Sequence, residues 1–383
     1  MKLPLSRLTP LLLGPALVAC GGPILGNPLP SDAPIGRPAP TPSGLPDPQP
    51  VELPRDDGPH DRLTEWWYDT GHLVAADGRR FGFEMVVFRA ERGAFPVAWA
   101  SHLALTDEHG QRFRYDQRSE LGPQVDRSVP GGGFDLGIRG SVALGVPDLT
   151  ATPWTMAGVS GVDRLSGEGV AADGQTFGLD LALDAHGRSP ALHDTDGYVD
   201  FGQAGGSYYY SRTSMDAVGS VTLGDDVIPV TGDAWFDHQW GDFIAVGAGG
   251  WDWFAVNLAD GTDIMLSLVR DAAGGYPLVY GTLVHPDGST QHLSREDFAV
   301  SVSGRWQSPA TGADYPAGWN ISIPGEALVI DLVPTVADQE LDTRATTGVA
   351  YWEGSQTVTA TRDGVQVAGE AYVELTGYLP SDR

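Results

Sequence analysis

The sequence predicts an all-β chain of two tandem β domains, and three observations carry that prediction. Short runs rich in aromatic and β-branched residues, such as FGFEMVVFRA at 81–90, recur through the chain. Asp-Gly pairs at 77–78, 173–174, 260–261 and 287–288 lie between such runs, and glycine there admits the positive φ of a tight hairpin turn. The stretch WYDTGHLVAADGRRFGFEMVVFR at 67–89 shares its plan with WDWFAVNLADGTDIMLSLVR at 251–270. Each has an aromatic strand, an Asp-Gly turn and a second strand closing on Arg89 or Arg270, as two related domains would. No segment shows a sustained helical period with caps.

Taken in order, residues 1–20 read MKLPLSRLTPLLLGPALVAC. Lys2 and Arg7 give a basic start, and the apolar run from Leu8 to Ala19 is broken by Pro10, Gly14 and Pro15. That run is too short for a spanning helix and reads as a signal peptide. Its end, LVAC, resembles the bacterial lipobox. Cys20 is therefore expected to carry lipid and to anchor an exported protein in the cell envelope, at the outer membrane or the periplasmic face. Cys20 is also the only cysteine, which excludes an intrachain disulfide. Residues 21–60 are rich in Pro and Gly and are expected to form a tether rather than a core. The first β domain is placed at 61–245 and the second at 246–383.

Charge and motifs exclude several functions. The 50 acidic residues outnumber the 23 basic ones, for a net charge of −27, which repels nucleic acid. There is no HExxH and no cysteine cluster, so no metal is expected. Neither a phosphate-binding glycine loop nor a GxSxG elbow is present, and no cofactor is expected.

Four stretches remain: EWWYDTGHL (65–73), WASHLAL (99–105), YYYSRTSMDAVGSV (208–221) followed by AWFDHQWGDF (234–243), and YWEGSQTVTATRDGVQVAGEAYVELTGY (351–378). Together, and in this order, they resemble the family of carotenoid 1,2-hydratases and AttH-like proteins. The resemblance implies two tandem lipocalin-like β-barrel domains. It implies a long apolar ligand, such as a polyene, isoprenoid or lipid, in a β-barrel cavity, and carotenoid 1,2-hydratase chemistry as the lead reaction. It also places catalytic residues in the Asp-His-x-Trp motif, here Asp237, His238 and Trp240. Some AttH-like proteins accompany ABC-type exporters, so the competing reading is a non-catalytic carrier that serves a permease.

The residue types suit hydration of a terminal alkene. An acid buried among aromatic rings stays protonated because burial disfavours its charged form. Aromatic faces stabilise a carbocation, and a neutral imidazole can take a proton from water. Trp66, Trp67, Tyr68, Tyr209, Trp251 and Trp253 are the candidate ligand contacts. On a strand, Asp237 and His238 point to opposite faces. The expected arrangement puts His238 and Trp240 toward the cavity, with Asp237 supporting them from behind. Glu65 and Glu353 are expected to pair with Arg89 or Arg270.

Overall fold

The computed structural model describes residues 48–140, 150–201, 205–243, 248–271 and 273–380. The leader and Cys20 lie outside the described residues.

The chain folds into two curled antiparallel sheets. The first holds β1 (Thr64–Ala75), β2 (Arg80–Ala90), β3 (Ala98–Asp107), β4 (Arg112–Leu121), β5 (Phe134–Ile138), β6 (Trp154–Val159), β7 (Val162–Val170), β8 (Thr176–Asp184), β9 (Ala191–Leu192), β10 (Tyr198–Asp200), β11 (Gly206–Leu223) and β12 (Asp226–Gly241). Its order is β4-β3-β2-β1-β12-β11-β8-β7-β6-β5, with β9 and β10 on β11. The second holds β13 (Ala248–Leu258), β14 (Asp263–Asp271), β15 (Leu278–Val284), β16 (Thr290–Leu293), β17 (Ala299–Val302), β20 (Trp319–Ile323), β21 (Leu328–Pro334), β22 (Glu340–Asp342), β23 (Ala350–Arg362) and β24 (Val365–Thr376). Its order is β16-β15-β14-β13-β24-β23-β21-β20-β17, while β18 (Arg305–Gln307) and β19 (Asp314–Pro316) pair separately.

The two sheets share a plan. In each, the opening strand lies between its hairpin partner and the last strand of the same sheet: β2-β1-β12 and β14-β13-β24. The two aromatic hairpins read from the sequence are β1–β2 and β13–β14. Gly78, Gly174, Gly261 and Gly288 all have φ between 80° and 89°, as Asp-Gly turns require.

Strand periodicity divides each sheet into an inner and an outer face. Trp67, Phe83, Trp99, Trp154, Tyr210 and Phe236 fill the first core. Phe254, Trp319, Trp352, Ile321 and Val373 fill the second. A third apolar layer, with Tyr68, Val86, Phe88, Tyr209, Trp235, Trp253, Met265, Tyr280 and Tyr372, joins the outer faces of the two sheets. The first sheet curls until its ends meet: Glu120 on β4 accepts the N–H groups of Arg139 and Gly140 beyond β5, at 2.7 and 3.1 Å.

The folded part starts before Asp61. The segment 48–62 plugs one end of the first core, and fully buried Asp57 holds it there. The Asp57 carboxylate accepts Tyr210 Oη and Arg212 Nη2, both at 2.6 Å, and the Ser160 N–H at 2.7 Å. Its carbonyl accepts Trp67 Nε1 at 3.1 Å. The last part of the Pro-rich segment is thus structure rather than tether, because this one carboxylate satisfies two buried side-chain donors and a backbone N–H.

Candidate functional site

A cavity of about 270 Å³ lies between the two sheets. It is not enclosed within either curled sheet, which corrects the expectation of a cavity inside a barrel. Both cores are filled by their own side chains, and the space remains where two convex outer faces meet.

Each wall follows from strand register. On the first sheet, Asp237 lies opposite Tyr68 and Ser211, while Gln239 lies opposite Trp66 and Tyr209. On the second, a row runs Glu353, Glu374, Trp253, Ser267, Tyr280 across four strand pairings. Trp66 and Trp251 stack across the gap with centroids 6.4 Å apart, and Tyr68 meets Trp253 edge-on at 5.4 Å. Gly250 shapes the rim at a β-bulge. Its φ is +97°, and a Cβ there would lie 2.4 Å from the Thr376 carbonyl oxygen.

Carboxyl groups gather on these walls. Asp237 accepts Trp235 Nε1 at 2.7 Å, together with the hydroxyls of Tyr209 and Ser211. Tyr209 Oη in turn accepts Trp253 Nε1 from the other sheet at 2.9 Å. Glu84 accepts Tyr351 Oη at 2.8 Å, Glu353 accepts Tyr68 Oη at 2.7 Å, and Glu374 accepts Trp251 Nε1 at 3.0 Å. Burial pushes Asp237 up to about 7, against the lowering effect of its three donors. Burial, with the nearby Glu374 adding to it, raises Glu84 to about 8. Burial and Asp237 raise Glu374 to about 7, and what surface Glu374 keeps opens on the cavity. Glu353 is pushed well above the carboxylate range by burial and by Glu84 and Glu374.

The structure divides the residues singled out in the sequence. Trp66, Tyr68, Tyr209, Asp237, Trp251 and Trp253 line the cavity. Trp67, His238 and Trp240 point the other way, into the first core. The face expected for this motif is therefore reversed. A strand allows only one of Asp237 and His238 to reach the cavity, and packing on the plug segment fixes His238 inside. Glu84, Glu374, Tyr280 and Tyr351 are among the wall residues that the motifs did not single out as ligand contacts. Glu84 had a visible signal, being the one acid within the apolar run of β2.

Glu65 and His238 form a separate cluster with His60 of the plug. His60 Nδ1 and His238 Nε2 lie 2.7 and 3.0 Å from the same Glu65 oxygen. Burial opposes ionisation of Glu65, but His60 and His238 outweigh it and hold its pKa at about 2. His60 is raised, because Glu65 and Asp56 outweigh its burial. The three ligand-type atoms lie within 4.8 Å of one another, so the set could hold a metal ion. The sequence shows no such cluster because His60 and His238 are far apart in the chain. As it stands, the trio is an ion-paired clamp that fixes the plug. Arg89 forms a long ion pair with Glu65 at 3.9 Å, as expected, whereas Arg270 faces Asp252 at 3.5 Å rather than Glu353.

Two curled antiparallel sheets in tandem define a lipocalin-like class of protein. Within that class, the chain belongs to the AttH-like family, whose model matches residues 45–378. Among solved structures, it is similar to a protein of Nitrosomonas europaea described as an AttH. The two are 29% identical, the match covers 87% of this chain and 98% of that one, and the TM-score is 0.73. It shares its fold with kievitone hydratase from Nectria haematococca, at 17% identity, 86% and 94% coverage and a TM-score of 0.63. Comparison with the curated proteins returns no match.

Proposed function

We propose that this protein binds an apolar molecule, such as a polyene, isoprenoid or lipid, in the cavity between the sheets. There it adds water across a terminal carbon–carbon double bond, as a carotenoid 1,2-hydratase-like enzyme. The observation that carries this reading is the set of three cavity carboxyls, Asp237, Glu84 and Glu374, held near 7–8 among aromatic rings. At neutral pH such a set supplies both a proton donor and a proton acceptor, which an exposed carboxylate does not. Glu374 gives a proton to the less substituted carbon of the end double bond. The tertiary cation left on its more substituted neighbour faces Trp251, Trp253 and Trp66. Water adds to it, and Asp237 on the opposite wall takes the proton that water loses. One alkene and one water give one alcohol, and the two carboxyls exchange a proton to reset. The cavity is too small to enclose a whole carotene, so the end of such a chain enters it. The family assignment supports this reading, as does a fold that a protein named for hydratase activity also uses. An anchor at Cys20 would hold the cavity beside a membrane, where such ligands reside.

The test uses the full chain with Cys20→Ser, which needs no detergent. It is incubated with an acyclic carotene in isotopically heavy water and read by native and denaturing mass spectrometry. A product carrying one labelled water establishes the reaction. Ligand bound but unchanged would make the protein a carrier of the kind that serves an ABC-type permease, and would sink the hydratase reading for that substrate.

A further inference from the structure

We infer that this cavity also takes an amphiphile with a cationic nitrogen at its head, a protonated amine or a quaternary ammonium group, seated among Glu84, Glu374 and Asp237. This rests on the reading that the cavity is a ligand site, and such a head competes with an apolar chain end for the same space.

The first ground is the unbalanced chemistry of the walls. Three carboxyl groups, Glu84, Asp237 and Glu374, reach one small space from both sheets, and the cavity lining contains no Lys, Arg or His among the described residues. Glu353 and Glu374 sit directly opposite each other on β23 and β24, a position that penalises like charges. The second ground is unspent hydrogen-bonding capacity. Glu84 and Glu353 are fully buried, yet Oε2 of each has no partner among the described residues. Buried polar atoms of this kind are normally satisfied. Glu84 itself lines the cavity. The third ground is the rest of the wall. Trp66, Trp251, Trp253, Phe88 and Tyr280 present ring faces and edges around the acids, which is how proteins hold ammonium heads.

These grounds exclude as well as select. A fatty acid, a phospholipid headgroup or an isoprenoid diphosphate would bring an anion to three acids with no compensating base. A cation relieves both forces that raise these carboxyls, their burial and their mutual repulsion. The whole chain acts in the same sense, since a net charge of −27 draws cations and repels anions.

Three probes with one alkyl body test this: octyltrimethylammonium, 1-octanol and octanoate. Each is titrated into the full chain carrying Cys20→Ser, with tryptophan fluorescence as the readout, because Trp66, Trp251 and Trp253 line the site. The ammonium probe is expected to bind about tenfold or more tighter than the alcohol, a ratio worth about 1.4 kcal/mol. Octanoate is expected to bind more weakly than either. Glu84→Gln and Glu374→Gln should each reduce the ratio of ammonium to alcohol affinity. If one of these variants does not fold, the other carries the comparison. Ammonium binding no tighter than alcohol overturns the inference but leaves an apolar ligand site standing. Octanoate binding tightest also overturns it. No binding of any probe overturns both this inference and the ligand-site reading.

Discussion

At the scale of single residues, function turns on which of two neighbours faces which way. Asp237 and His238 are adjacent, and the pleat sends them to opposite faces of β12. Asp237 meets Tyr209, Ser211 and Trp235 at the cavity, whereas His238 packs on Trp67 with ring centroids 4.7 Å apart in the core. Substitution should separate the two. Asp237→Asn keeps the volume and should remove turnover while ligand still binds, as read by product formation and a binding titration. His238→Ala should destabilise by about 2–4 kcal/mol in urea unfolding, because it empties a packed site and leaves Glu65 short of a partner. Equal stability of the His238→Ala protein would remove the core role assigned here. The sequence made this site half legible. It named the block Trp66, Trp67, Tyr68 and the Asp-His-x-Trp motif, but a block of consecutive residues mixes both faces. Period-two alternation separates Trp66 and Tyr68 from Trp67, and it leaves open which set faces the cavity. Glu374 carries no signal in the sequence, since nothing there brings it across the cavity from Asp237.

At the scale of elements, the hairpins were legible and the plug was not. Asp-Gly turns and aromatic runs are local signals, so β1–β2 and β13–β14 could be read from the sequence directly. The plug depends on contacts distant in sequence: Asp57 meets Ser160, Tyr210 and Arg212, and His60 meets His238 through Glu65. A Pro- and Gly-rich composition says only that the segment cannot build its own core. It does not exclude docking on one. Asp57→Ala should therefore cost about 3–5 kcal/mol, because buried Arg212 loses its close partner at 2.6 Å. Urea denaturation measures this, and a cost below about 1 kcal/mol would show that the plug contributes little. A chain that begins at residue 61 should melt lower than one that begins at 45, for the same reason.

At the scale of the whole molecule, the two sheets are joined through a layer that contains ionisable groups, so their union should depend on pH. The signs follow from which form each group prefers when folded. Asp237, Glu84 and Glu374 have folded pKa values raised to about 7–8. The stability they contribute is full below about pH 4, where the unfolded groups are also protonated, and is lost as pH rises through 7–8. His102 and His193 run the other way. Burial lowers both to about 3, so their contribution is full above about pH 6.5 and is lost as pH falls toward 3. Glu65, held at about 2, likewise loses its contribution as pH falls below the ordinary carboxylate range. Above about pH 7 the lowered histidines no longer contribute a slope, and the cavity carboxyls govern what remains. The melting temperature should therefore fall by several degrees between pH 7 and pH 9, at about 2–4 °C per kcal/mol for domains of this size. Glu84→Gln and Glu374→Gln should each flatten the alkaline limb and leave the acid limb in place. Melting curves at constant ionic strength across that range decide the matter. A melting temperature that holds level or climbs from pH 7 to 9 would show that these carboxyls are hydrated rather than sealed between the sheets, and the acid chemistry assigned to the cavity would lose its basis.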